Sequence, residues 1–132
     1  MKHDIQSRED IIRLVDTFYS IVLEDKVIAH FFTEVVNISW DKHMPIMYDF
    51  WESVLLDNPV YKGNPMTKHI GLDQKSRMEK IHFDRWAELW HETLDKLYSG
   101  EKVKLAKKRA GELKALMSFK IQQSRNNNLF IQ

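Results

Sequence analysis

The stretch Tyr61-Lys-Gly-Asn-Pro-Met-Thr-Lys-His-Ile-Gly-Leu72 decides how the rest of the chain is read. Asn64 can cap a helix that starts at Pro65, where the missing N–H costs nothing, and Gly71 can end it. The spacing therefore predicts a helix of barely two turns carrying His69. So short a helix is marginal alone and needs tertiary packing or a bound group to hold it.

Outward from that stretch the periodicity is helical throughout. Ser7 and Asp10 form a capping-box-like start, after which Ile11, Leu14, Val15, Phe18 and Val22 recur at helical spacing to about Leu23. Residues 24–30 read as a turn and a short helical piece leading into Phe31-Phe32. Ser39 can cap a helix from about Trp40 to Leu56 that puts His43, Met47, Phe50, Trp51, Val54 and Leu55 on one face. After a loop with Pro59 and Gly63, and beyond the His69 segment, Ser76 and Glu79 read as a capping box for a helix to about Tyr98. His82, Trp86, Leu89, Trp90, Thr93 and Leu97 are in register along it. Ser99-Gly100 breaks it, and a last helix is expected from about Glu101 to Phe119, ahead of a polar, frayed tail over 120–132. The fold class is all-α in one domain, with its core over about residues 5–119.

Composition agrees and narrows the function. Seven Phe, four Trp, four Tyr and six Met in 132 residues, with 30% charged residues, imply a compact interior rich in rings. A formal net charge of +1 gives no reason to expect nucleic acid or an anionic membrane as partner. The absence of cysteine excludes disulfides, thiolate ligation and a Cys nucleophile. No apolar signal region opens the chain and no run approaches membrane-spanning length, so a soluble, cytoplasmic protein is expected. Glu79-x-x-His82 and Glu88-x-x-His91 fit the spacing of di-iron carboxylate bundles, but such a site needs facing helices and both motifs fall on one. No nucleophile elbow, phosphate-binding glycine loop or zinc spacing is present.

Several motifs occur in a fixed order: Tyr19 in a Phe-Tyr pair, Phe31-Phe32 thirteen residues on, His43, Phe50-Trp51, the Tyr61-to-His69 run and His82-Phe-Asp-Arg-Trp86. Together they resemble the truncated haemoglobins, specifically their bacterial group III branch, over about Ile5 to Met117. The resemblance implies a two-over-two helical sandwich that binds haem b (iron protoporphyrin IX). It implies His69 as the iron ligand and Tyr19, His43 and Trp86 on the distal, ligand-stabilising side. It also implies a cofactor-contacting set of Phe32, Met47, Phe50, Trp51, Tyr61, Lys68, His69, Phe83 and Trp86, in which Met47 supplies contact and no chemistry.

Each of these residues has a plainer reading beside the functional one. By spacing alone His69 reads as a surface or structural residue, His43 as a satisfied core histidine and Trp86 as packing, and Tyr19 could be a core tyrosine bonded to a carbonyl. Tyr61 and Lys68 fit haem propionates and solvated loop positions equally, and His3, His30 and His91 read as surface or structural.

Donors at the sixth iron position decide whether such a site stores, activates or senses a diatomic ligand. Tyr19 and Trp86 are both donors, and because the unperturbed pKa of a histidine lies near working pH, His43 could gate or give a proton. The expected ligands are dioxygen, nitric oxide, carbon monoxide or peroxide. Slow ligand release favours redox chemistry, namely nitric oxide dioxygenation or peroxide reduction with an external reductase, or sensing, over bulk transport. A reversible oxygen-binding or storage globin is the alternative, and a haem-free helical interaction module a remote one.

Overall fold

The computed structural model describes residues 2–35, 38–63, 69, 72–73 and 76–131. Asn64, Pro65, Lys68 and Gly71 lie outside these residues, and with them the bounds expected for the His69 helix. The described elements are α1 (Arg8–Val22), a π-helical turn (Phe31–Val35), α2 (Trp40–Leu55), α3 (Lys80–Leu97) and α4 (Glu101–Ile131). No strand occurs among the described residues. α1 packs on α2 and α3, α3 on α4, and α2 on α4, so the four helices close a two-over-two sandwich around one core.

α1 forms as its pattern dictates. The Ser7 hydroxyl accepts the Asp10 N–H at 3.3 Å, the Asp10 carboxylate takes the Gln6 N–H at 2.9 Å, and Ile11, Leu14, Val15, Phe18 and Val22 are buried. Asp25 fixes the chain beyond α1. Its nearly buried carboxylate accepts from Val27 N–H and Ile28 N–H and pairs with Arg85 of α3 at 2.8 Å. The π-helical turn that follows is a rare element enriched at functional sites.

α3 starts later than its pattern suggests. Ser76 does not cap it: the Ser76 N–H donates to the Leu72 carbonyl at 3.0 Å, closing a turn. Glu79 is the cap residue, and His82 Nδ1 accepts the Glu79 N–H at 2.9 Å. The Glu79-x-x-His82 spacing is thus used to cap a helix.

Between α3 and α4 Gly100 sits at φ 142°, and a Cβ there would lie 2.5 Å from the Asp4 carboxyl carbon. That carboxylate accepts from Lys102 N–H at 2.9 Å and Val103 N–H at 3.3 Å, capping α4 from the opposite end of the chain. α4 then runs to Ile131, past Phe119 where the sequence reading ends it. Ile121 is buried against Phe83 and Met117, and Arg125 pairs with Asp73, so the polar run is anchored where fraying is expected.

Candidate functional site

The helices leave a cavity of about 300 Å³ between them. α1 contributes Val15, Phe18 and Tyr19, and the π turn contributes Phe31 and Phe32. α2 contributes His43, Ile46, Met47, Phe50 and Trp51; α3 contributes His82, Phe83, Trp86 and Trp90; α4 contributes Leu113 and Met117. Tyr61 and His69 complete the wall with Ile28, Ile38, Leu72 and Met78. No Asp, Glu, Lys or Arg lines it among the described residues.

One end of this wall is polar. The Tyr19 hydroxyl and His43 Nε2 are 3.2 Å apart, with their rings edge-on at 5.3 Å. Trp40 closes over them, edge-on to Tyr19 at 5.7 Å and to His43 at 5.6 Å, and stacks on Phe32. Loss of solvent pushes the Tyr19 phenol far above its ordinary pKa, so it stays a proton donor. Trp86 packs edge-on to Phe18 at 6.4 Å. Behind it Trp51 stacks on Trp90 at 4.4 Å, and the Trp90 indole N–H donates to the Ala106 carbonyl at 3.3 Å. Trp90 is thereby fixed as wall.

Tyr61 is placed by α2. The Ser53 hydroxyl, donating to the Asp49 carbonyl, accepts both Val60 N–H at 3.1 Å and Tyr61 N–H at 2.9 Å. Buried Glu52 holds the start of the same loop through Asn58 at 2.6 Å while pairing with Arg8 at 3.0 Å. The Tyr61 ring then meets Phe50 edge-on at 5.1 Å.

The structure therefore brings Tyr19, Phe32, His43, Met47, Phe50, Trp51, Tyr61, His69, Phe83 and Trp86 to one cavity, and Lys68 lies outside the described residues. Sequence reasoning missed His82 as a wall residue. Its signal is its place one helical turn before Trp86. With Nδ1 committed to the Glu79 N–H, its neutral ring carries the proton on Nε2, and burial, then the neighbouring His30, lowers its pKa. Trp40, which packs on the two polar residues, is also absent from the set expected from sequence; it opens α2 instead of sitting on its apolar stripe.

Three imidazoles on a wall otherwise built of rings and aliphatic side chains are nitrogen donors in a mainly apolar slot, which suits an iron porphyrin. They do not suit a hard cation, which takes oxygen ligands. No group of three His, Cys, Asp or Glu among the described residues could hold a bare metal ion.

No family model matches the chain. Over 104 residues it is 30% identical to a group 3 truncated haemoglobin of Campylobacter jejuni, covering 76% of this chain and 80% of that protein. The crystal structure of a group III truncated haemoglobin from Campylobacter jejuni aligns with a TM-score of 0.76 at 26% identity, over 89% of this chain and 92% of that one. By descent as well as by fold, the chain belongs to the group III truncated haemoglobins, a family of haem-binding globins.

Proposed function

We propose that the cavity holds haem b (iron protoporphyrin IX) on His69, with Tyr19, His43 and Trp86 forming the face that meets an incoming diatomic ligand. The observation that carries this is a single wall with His69, Tyr19, His43 and Trp86 in it and no charged side chain among the described residues. Bound there, haem would supply an iron whose sixth position takes dioxygen, nitric oxide, carbon monoxide or peroxide.

This chain's part is to seat the cofactor, exclude water and hold hydrogens at that position. Phe32, Met47, Phe50, Trp51 and Phe83 give apolar contact, and Tyr61 offers a hydroxyl on the loop side. With Nε2 protonated, His43 donates to the Tyr19 oxygen and leaves the phenol's own hydrogen for the ligand, a chain in which each bond strengthens the next. The Trp86 indole N–H donates to no described residue. A ligand gripped by such donors leaves slowly, which favours nitric oxide dioxygenation or peroxide reduction with an external reductase, or sensing, over bulk transport.

Optical spectra of the purified protein, ferric and ferrous, with and without carbon monoxide, test the reading. A Soret band that shifts with oxidation state and with carbon monoxide is expected. No band, together with no thermal stabilisation by added haemin, would leave a haem-free helical module. Rapid consumption of the dioxygen-loaded protein by nitric oxide, or turnover of peroxide, separates an enzyme from a storage globin. Trp86→Phe keeps the bulk and removes the donor. Dioxygen release should quicken by a few fold, the effect of losing about 0.5–1 kcal/mol, and an unchanged rate by stopped flow would make Trp86 a packing residue.

A further inference from the structure

α4 reaches back to the segment that follows His69. Arg125 Nε donates to Asp73 Oδ2 at 3.0 Å, and Arg125 Nη2 donates both to Asp73 Oδ1 and, at 3.0 Å, to the Met78 carbonyl. The Met78 N–H donates to Asp73 Oδ1 at 2.8 Å. The Asp73 side chain is only 7% exposed and that of Arg125 19%, so the pair is largely out of water. Burial alone would raise the Asp73 pKa, but Arg125 and the Met78 N–H hold it below the ordinary carboxylate value. Leu72, next to Asp73, and Met78 both line the cavity. Asp73 follows His69 by four residues.

We propose that Arg125 is a positioning residue which, through Asp73, holds the His69-bearing segment against the cavity and so sets how firmly the imidazole would hold the iron. This rests on His69 being the iron ligand. A short helix supplies little order of its own, whereas a bidentate guanidinium–carboxylate pair fixes direction as well as distance. Removing Arg125 leaves a nearly buried carboxylate without its cation, which is strongly destabilising.

The test uses the full haem-loaded chain with Arg125→Gln, Arg125→Lys and, as control, Lys107→Gln. The control removes a 2.6 Å ion pair between α4 and Asp95 of α3, and neither of those residues lines the cavity. Two quantities are read: the rate of haem transfer to an excess of an apo-globin acceptor, and the iron–imidazole stretching band of the ferrous protein by resonance Raman. Arg125→Gln should release haem about tenfold faster, the lower end for supporting residues of a metal ligand, with the band shifted or broadened. Arg125→Lys should fall between, since a point charge keeps attraction but loses the fork, and it carries the test should Arg125→Gln fail to fold. Lys107→Gln should match the parent. A parental band and release rate in both Arg125 variants overturn the positioning role, as does an equal effect of Lys107→Gln. Retention of haem by His69→Ala would instead overturn the ligand reading on which the role rests.

Discussion

His69→Ala is expected to leave a protein that no longer retains haem through purification. In the proposed site the residue supplies the coordinate bond between chain and iron, and the remaining contacts are mostly those of rings and aliphatic side chains with a flat ligand. Those contacts resist water but fix no iron. The variant should stay helical, because the buried stripes of α1, α3 and α4 do not involve residue 69. Its melting temperature should stop responding to added haemin, since a group that binds the native state stabilises it by mass action. Free imidazole supplied to the variant should restore the spectrum, separating a missing ligand from a damaged fold. If the alanine protein keeps haem as the parent does, the ligand is one of the other two imidazoles on the wall, His43 or His82.

The second large effect is kinetic. Tyr19→Phe should release dioxygen ten- to a hundredfold faster, as expected for loss of a hydrogen bond to a partly charged acceptor worth about 1.5–3 kcal/mol. Phenylalanine retains the ring, and with it the edge contacts to Phe32 and Trp40, both at 5.7 Å, so the cage keeps its shape while losing its hydroxyl. Because Tyr19 is also bonded to His43, the same change removes one hydrogen bond from that imidazole, and the ligand association rate should change too. The check is displacement of dioxygen by carbon monoxide in a stopped-flow instrument. A release rate equal to the parent's would make Tyr19 a core residue whose hydroxyl serves only His43.

The α1 stripe and its Ser7 cap are local patterns, and the structure repeats them residue for residue. Much of the wall was also legible, because helical spacing aligns His43, Met47, Phe50 and Trp51 on α2 and Trp86 and Trp90 on α3, while Phe83 came only with the family resemblance. Three features were not. The π-helical turn at Phe31–Val35 differs from an α-helix by one residue of hydrogen-bond offset, which no side-chain pattern records. Ser76 and Glu79 satisfy the capping-box spacing, yet His82 Nδ1 takes the Glu79 N–H that a Ser76 cap would need, and Asp73 takes the Met78 N–H. α4 continues past Phe119 because Arg125 finds its partner 52 positions earlier, a pairing that only tertiary structure can reveal.

The indoles carry a consequence of their own. All four tryptophans of the chain either line the cavity, as Trp51, Trp86 and Trp90 do, or, as Trp40 does, touch a ring that lines it. Each would therefore lie within resonance-energy-transfer range of a porphyrin seated there. Ultraviolet emission of the chain becomes an internal gauge: bright when the pocket is vacant, dark when it is filled, and readable without any added label.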